Sequence, residues 1–194
     1  MPSDGDQKAI RELLDFWFDE ATRPRWYDST PAFDELCRQR YGDLAARAAQ
    51  GELAGWEQTA EGALALCLLL DQMPRNLFRA TPQAFGADDK AVAAAARALG
   101  RGFDRALDPD RRTFLYMPFM HSERLADQER SVALAAALDD GETLPYAEEH
   151  ADIIRRFGRF PHRNAILGRE STPEEAAFLA AGARSFGQTA KSDG

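Results

Sequence analysis

An uninterrupted apolar segment, Ala63 to Leu70, constrains the fold of this chain more than any other feature. It follows Thr59, a residue type that often caps the start of a helix, and its apolar side chains would cover every face of that helix. Such a helix must be surrounded by other elements, so we expect it at the centre of the core. It should stop at Asp71, where polar side chains follow directly and Pro74 lacks a backbone donor.

Most of the remaining sequence repeats its apolar residues with the period of an α-helix. One clear helix runs from a cap at Thr30 to a stop at Gly51. Pro118 is expected to end a short helix, and Ser122 is expected to cap the next one. No segment alternates apolar and polar residues over the length of a strand, so the prediction is an all-α chain.

Length and composition predict one ordinary domain. With 194 residues, 44% of them hydrophobic, the chain is long enough for one buried core. We therefore expect a single helical domain over residues 1–194, with disordered tails at about 1–6 and 188–194. Cys37 and Cys67 both occupy apolar helical positions and are expected to be small buried hydrophobes.

The charge pattern and the first residues narrow the class of protein. The start is polar and acidic, unlike a secretory signal, and the longest apolar run is far shorter than the ~20 residues that cross a bilayer. These features predict a cytoplasmic protein with no membrane partner. A formal net charge of −8 argues against a nucleic-acid partner, because binding to the phosphate backbone requires a basic surface.

The segment from His150 to Arg169 reverses this acidic balance. Its arginines accompany a single acid, Asp152. They are Arg155, Arg156, Arg159, Arg163 and Arg169. Gly158 is predicted to end the helix, and Pro161 to form an irregular corner after it. Such arginines either close an internal network of ion pairs or form a pocket for a carboxylate or phosphate.

A similar corner occurs earlier in the chain. The segment Pro74 to Phe85 resembles Pro161 to Phe178, because each has a proline, then Arg-Asn, then a later arginine, then a Thr-Pro pair. Internal similarity of this kind is typical of stacked helical hairpins. We treat a duplication as a hypothesis, which fails if the two Arg-Asn corners lie on opposite faces of the molecule.

Polar residues at the helix ends form the candidate site. His162 and His150 are the candidates for acid-base catalysis, with Glu123 or Asp71 as the group that orients the histidine. The residues expected to bind a ligand are Asp71, Gln72, Arg75, Asn76, Tyr116, His121, Gln128, Arg156, Arg159, Arg163 and Asn164. The histidine spacing matches no metal motif, and no phosphate loop or dinucleotide fingerprint is present, so neither a metal nor a cofactor is expected.

Four motifs resemble those of an uncharacterised family of bacterial proteins. They are the segments Leu14 to Phe18, Leu70 to Asn76, Tyr116 to Glu123 and Arg156 to Asn164. The resemblance covers nearly the whole chain. It implies an all-helical, tetratricopeptide-like stack of antiparallel hairpins, and it implies no activity. Met73 stands where an aromatic residue is expected, a difference that should alter only packing.

Three functions remain open on the sequence alone. The first, which we favour, is a protein whose arginine-lined groove binds a peptide carboxylate or another small anion. The second is a hydrolase or transferase in which His162 or His150 transfers a proton and negative charge is stabilised by Arg75, Arg159 and Arg163. The third is a structural protein whose polar corners lock its hairpins together. An enclosed cleft with a histidine beside a carboxylate would favour the enzyme. The oligomeric state is left open.

Overall fold

The computed structural model describes residues 2–138, 140–182 and 184–187. Within these ranges the chain is helical and contains no strand, which confirms the all-α prediction. The α-helices are α1 (Asp4–Phe18), α2 (Pro31–Gln50), α3 (Ala60–Cys67), α4 (Met73–Leu77), α5 (Asp88–Gly100), α6 (Pro109–His121), α7 (Leu125–Ala136), α8 (Thr143–Phe157) and α9 (Pro173–Ala180). Two short 3-10 turns matter for the site: Pro82–Phe85 precedes α5, and Pro161–Arg163 follows α8.

The apolar segment forms the buried centre, as its composition predicts. Thr59 caps α3 by accepting a hydrogen bond from the backbone N–H of Gly62 (3.0 Å). Every residue from Ala63 to Leu70 is buried. The helix packs against α1, α5 and α6, so the largest hydrophobic cluster surrounds it.

The prediction that this helix stops at Asp71 is wrong. The chain continues through a π turn, Leu68–Gln72, directly into α4. The widened turn accommodates Pro74, which has no N–H to donate and lies in the first turn of α4. It also carries the side chains of Asp71 and Gln72 inside the protein, where both residues are buried. Single π turns inside helices often accompany functional sites.

Two further helix boundaries differ from the prediction. Pro118 does not end α6, which continues to His121. A proline removes one helical hydrogen bond, and the burial of Phe119 and Met120 beside it outweighs that loss. Ser122 does not cap α7, because its hydroxyl donates to Asp127 (2.7 Å) and the helix begins at Leu125, after Arg124 in the capping position.

The C-terminal half repeats a simple neighbour order. There α7 packs on both α6 and α8, an arrangement compatible with stacked hairpins. The tetratricopeptide-like stack itself stays a prediction. Two smaller hydrophobic clusters support this half, one around Met120 and one around Phe160. No helix in the described part of the chain combines the length and apolar character that crossing a membrane would require.

The expected tails and cysteines can be placed in part. Residues 4–6, expected to belong to a disordered tail, form the first turn of α1, where Ser3 and Asp6 make a capping box. The other expected tail, 188–194, lies outside the described residues. Cys37 and Cys67 are both buried, as predicted.

Candidate functional site

A cavity of about 810 Å³ opens where the loop after α1 meets the ends of α4 and α6, the face of α8 and the 3-10 turn after α8. Residues 184–187 form part of its wall. All three histidines of the chain line it, together with four predicted ligand-binding residues. Those four are Gln72, Arg75, Asn76 and Arg163. A cavity of this volume is typical of small-molecule sites.

Asp71, in the π turn, organises the polar wall. Its side chain is 1% exposed, and its carboxylate lies 2.8 and 2.9 Å from Nδ1 of His121. Nη1 of Arg75 lies 3.0 Å from the same carboxylate. Burial alone would raise the pKa of Asp71, but Arg75 and His121 outweigh burial, so the pKa lies below its usual range. Asp71 is therefore an ionised group behind the cavity wall.

Asp88, in the first turn of α5, joins the two arginine corners. It accepts hydrogen bonds from both terminal nitrogens of Arg75 (3.0 and 3.2 Å) and from Nη1 of Arg163 (3.2 Å). Nη2 of Arg163 donates to the backbone carbonyl of His121 (2.9 Å). We call Asp71, Arg75, Asp88, His121 and Arg163 the cavity network. Its two acids and two arginines balance in formal charge.

Arg163 is held between two aromatic rings. Its guanidinium carbon lies 4.5 Å from the ring centres of both Phe85 and Phe160. Its side chain is 7% exposed. Burial and the nearby charge of Arg75 lower the pKa of Arg163 to about 10, so it remains a cation at neutral pH. Because two rings lie this close to the guanidinium, the N–H edge is the part of Arg163 best placed to meet an anion.

His150 and His162 face a common ring, that of Phe186. The ring centres are 4.0 Å apart for His150 and 5.3 Å apart for His162. Nδ1 of His150 is 2.7 Å from the backbone carbonyl of Tyr146, the contact of a donated N–H. Burial lowers the pKa of His150 to about 3, and burial together with the nearby charge of Arg163 lowers that of His162 to about 3. Both are neutral imidazoles at pH 7.

The opposite wall is apolar and aromatic. Trp26, Tyr27 and Tyr146 contribute rings, and Met117 and Met120 contribute flexible thioethers. The indole N–H of Trp26 donates to the backbone carbonyl of Trp17 (2.8 Å), so it is fixed by the protein. The cavity thus combines an apolar wall with a few converging polar groups, the usual composition of a ligand site.

The two similar corners lie at the same cavity. Arg75 and Arg163 share Asp88, so the duplication hypothesis passes its stated geometric test. The asparagines bind similar kinds of group, although the partners of Asn76 precede it in the chain and those of Asn164 follow it. Asn76 donates to Ser29 (3.1 Å) and Asp34 (2.7 Å). Asn164 donates to the corresponding kinds of group, Ser171 (3.1 Å) and Glu175 (3.3 Å). In both cases the serine directly precedes a Thr-Pro helix start.

Several predicted site residues lie away from the cavity, in a second cluster of ion pairs. Arg159 binds both oxygens of Glu175 (2.7 and 2.8 Å), and Arg169 binds both oxygens of Glu123 (2.7 and 2.9 Å). Nε of Arg169 also donates to Asn164 (3.0 Å). We call these five residues the closed network. Glu123 therefore orients an arginine rather than a histidine.

Three other predicted site residues also have partners elsewhere. Arg156 pairs with Glu174 (2.9 Å) on the surface. Tyr116 donates to Asp104 (3.0 Å). Gln128 donates to three backbone carbonyls at the end of α6, those of residues 119, 120 and 122, and so fastens α7 to α6. We leave these three residues and the closed network out of the proposed site.

Some residues of the cavity are not among the site residues that the sequence predicts. They include Trp26, Tyr27, Met117, Met120, Tyr146, Arg184 and Phe186 in the wall and Asp88 behind it. The adjacent aromatic residues Trp26 and Tyr27, in the segment between α1 and α2, are a sequence feature that could have indicated this wall. Within the described part of the chain, no three His, Cys, Asp or Glu side chains converge as metal ligands do.

Comparisons with known proteins agree with this architecture. The family described as "Bacterial protein of unknown function (DUF924)" matches residues 13–183 of the chain. One similar solved structure is that of the protein of unknown function ATU0120 from Agrobacterium tumefaciens. It is 45% identical in sequence, with a TM-score of 0.86 over 90% of this chain and 98% of that chain. No curated protein matches the chain. The family match extends over most of the sequence, so the chain belongs to this bacterial family of unknown function.

Proposed function

We propose that the protein binds a small organic anion in the cavity, with the anionic group at the N–H edge of Arg163. The observation that carries this proposal is the incomplete pairing of a buried guanidinium. A guanidinium has five N–H groups. Arg163 places one on Asp88 and one on the carbonyl of His121, which leaves a second N–H on each terminal nitrogen of a side chain that lines the cavity. Its Nε is fully buried and has no acceptor among the described residues. A carboxylate or phosphate oxygen is the acceptor that would best complete it.

The second guanidinium of the cavity wall supports the same ligand chemistry. Arg75 directs its terminal nitrogens to Asp71 and Asp88, and these hydrogen bonds do not involve its Nε. Because the acids of the cavity network already balance the arginines, the ligand meets hydrogen-bond donors rather than a large positive field. Such a site selects by geometry, and it favours a planar carboxylate over a diffuse charge.

The apolar wall indicates the rest of the ligand. An anion alone would leave the rings of Trp26 and Phe186 and the thioethers of Met117 and Met120 facing empty space. A ligand with an aromatic or aliphatic body would cover these groups while its acidic end lies at Arg163. We therefore propose a small organic acid or the carboxyl end of a peptide as the ligand class.

A thermal-shift screen of small carboxylates and phosphates tests this function. A ligand at about 100 times its Kd adds roughly 2.7 kcal/mol to the free energy of unfolding, a measurable rise in Tm. The variant is Arg163→Met, which keeps the apolar contact with Phe85 and Phe160 but removes the charge. Alanine would be a poorer choice, because it would also open a hole between the rings.

The matched control is Arg159→Met, which removes an arginine of the closed network. We expect the ligand-induced rise in Tm to vanish in Arg163→Met and to persist in Arg159→Met, whatever either change does to the unliganded protein. The proposal is wrong if Arg163→Met keeps the full shift, or if no member of the anion set raises the Tm of the unchanged protein.

A further inference from the structure

The pairing of His121 with Asp71 leaves one ring nitrogen for other chemistry. Nδ1 faces both oxygens of Asp71, at 2.8 and 2.9 Å. The second ring nitrogen, Nε2, lies on the opposite edge of the imidazole. The side chain of His121 is 17% exposed, whereas that of Asp71 is 1% exposed. Because the Nδ1 edge is covered by the acid, the exposed edge that lines the cavity is the one that carries Nε2.

The hydrogen bonds also define the tautomer of His121. An ionised carboxylate only accepts hydrogen bonds, so Nδ1 carries the proton and Nε2 carries a lone pair. The charged groups that face this ring are Asp71, Arg75 and Asp88, and the ring of His150 lies 6.2 Å away. Burial lowers the pKa of His121 more than Asp71 raises it, so the ring is a neutral base at pH 7.

Among the described residues, no hydroxyl donates a hydrogen bond to the ring of His121, whose side-chain hydrogen bonds are those with Asp71. The hydroxyl of Ser122, the next residue, donates to Asp127 on α7. The hydroxyl of Thr113, on the same helix and also at the cavity, donates to the backbone carbonyl of Pro109 (3.1 Å). A base that activates no neighbouring hydroxyl is free to act on the ligand itself.

We propose that His121 is a general base that removes a proton from the bound organic anion, and that Asp71 is its positioning residue. The substrate class is a small oxo acid with a C–H bond next to a carbonyl group. This inference rests on the proposed function for its substrate, because Arg163 would hold the anionic end.

The proton transfer involves only the substrate and His121. The C–H bond breaks, its proton bonds to Nε2 of His121, and its electron pair forms the enolate of the adjacent carbonyl. The imidazolium then stays paired with the carboxylate of Asp71, which stabilises the new positive charge. Return of the proton to carbon completes an isomerisation or exchange that needs no other reactant.

The Kemp elimination of 5-nitrobenzisoxazole tests the base separately from anion binding, because this probe is neutral and aromatic. A base takes the proton from the ring carbon, the N–O bond breaks, and a coloured nitrile phenolate leaves. We expect saturable elimination by the unchanged protein, with a rate that rises as pH rises through the pKa of His121. His121→Asn should lower the rate by about 100-fold or more.

Two further variants separate a base from a structural histidine. In His121→Ala, added imidazole should restore part of the rate, which a purely structural role would not allow. Asp71→Asn should slow the reaction and move the midpoint of the pH profile to lower pH, because the carboxylate no longer favours the imidazolium. Asp152→Asn, a matched change in an exposed pair, should leave rate and profile unchanged.

The possible outcomes are distinct. If folded His121→Asn keeps the rate of the unchanged protein, or if the unchanged protein gives no elimination above that of free imidazole at equal concentration, the inference is wrong. Should the variants fail to fold, ¹⁵N chemical shifts of the unchanged protein decide, because a proton on Nε2 at pH 7 would overturn the proposal. Elimination that depends on His121 without any anion-induced rise in Tm would support His121 as the base, and it would refute both the proposed function and the anionic substrate class.

Discussion

The two arginine-rich networks of this protein use the same residue types for different ends. In the closed network, Arg159 and Arg169 each bind both oxygens of one glutamate. In the cavity network, Arg163 shares Asp88 with Arg75 and keeps N–H groups at the cavity. The difference teaches that the number of arginines does not define an anion site. What matters is whether their pairing leaves donors beside an empty volume.

The largest expected effect concerns the arginine on which both acids of the cavity network depend. The side chain of Arg75 is 10% exposed, and it contacts Asp71 and Asp88 at 3.0 Å each. Arg75→Ala would leave two poorly exposed carboxylates without their main cation. We expect the free energy of unfolding to fall by about 3 to 5 kcal/mol, measured by urea denaturation.

The control for this change is Arg155→Ala, which removes an exposed arginine paired with Asp152. Exposed pairs contribute roughly 0 to 1 kcal/mol, so this variant should be nearly neutral. If Arg75→Ala is as mild as Arg155→Ala, then the cavity network does not stabilise the fold as its burial suggests.

The second prediction compares the pH response of His150, a buried histidine of the cavity wall, with that of Glu175 in the closed network. Burial lowers the pKa of His150 from 6.5 to about 3, so below pH 6.5 the unfolded chain takes up a proton that the folded protein refuses. Stability from this group is complete above pH 6.5 and falls by roughly 1.4 kcal/mol per pH unit as pH drops toward 3. Hydrogen bonds from Arg159 and the Thr172 backbone lower the pKa of Glu175 to about 2, so its contribution is lost between pH 4.5 and 2.

Stability measured by denaturation from pH 8 to pH 3 checks this separation. His150→Phe should make the decline between pH 6.5 and 4.5 clearly shallower without abolishing it, because His162 has a similarly lowered pKa. Glu175→Gln should leave that interval unchanged. An equal slope for the unchanged protein and His150→Phe would show that His150 does not control this interval.

The helices could be predicted because their signals are local. The apolar run from Ala63 to Leu70 and the cap at Thr30 lie within a few residues of the structure that they define. The π turn could not be predicted. Polar residues after an apolar run, followed by Pro74, normally mark the end of a helix, but here the π turn lets the helix continue through them.

The candidate site could be predicted only as a set of residues. The histidines and the two Arg-Asn corners were identifiable, but their partners lie far away in sequence. Asp71 and His121 are 50 positions apart, and Asp88 and Arg163 are 75 apart. The helical period cannot decide which acid meets which cation over such separations. For this reason the sequence could not show that the carboxylate partner belongs to His121 and not to His150 or His162.

The smallest expected effect comes from two asparagines, Asn76 in the cavity wall and Asn164 in the closed network. Asn76 donates to Ser29 and Asp34, while Asn164 donates to Ser171 and Glu175 and also accepts from Arg169. Each alanine variant removes a hydrogen bond to a buried carboxylate, which should lower the free energy of unfolding by about 1 to 3 kcal/mol. Asn164→Ala should lower it by about 1 kcal/mol more, because it loses one additional hydrogen bond.

The same pair also distinguishes a ligand site from a structural staple. Asn76 lines the cavity and Asn164 does not. If the cavity network binds the anion, Asn76→Ala should weaken the ligand-induced rise in Tm, although it is the less destabilising change. Asn164→Ala should lower the Tm further yet keep the full ligand shift. A ligand shift that follows overall stability instead, smaller in Asn164→Ala than in Asn76→Ala, would remove the functional distinction between the two networks and leave both as structural staples.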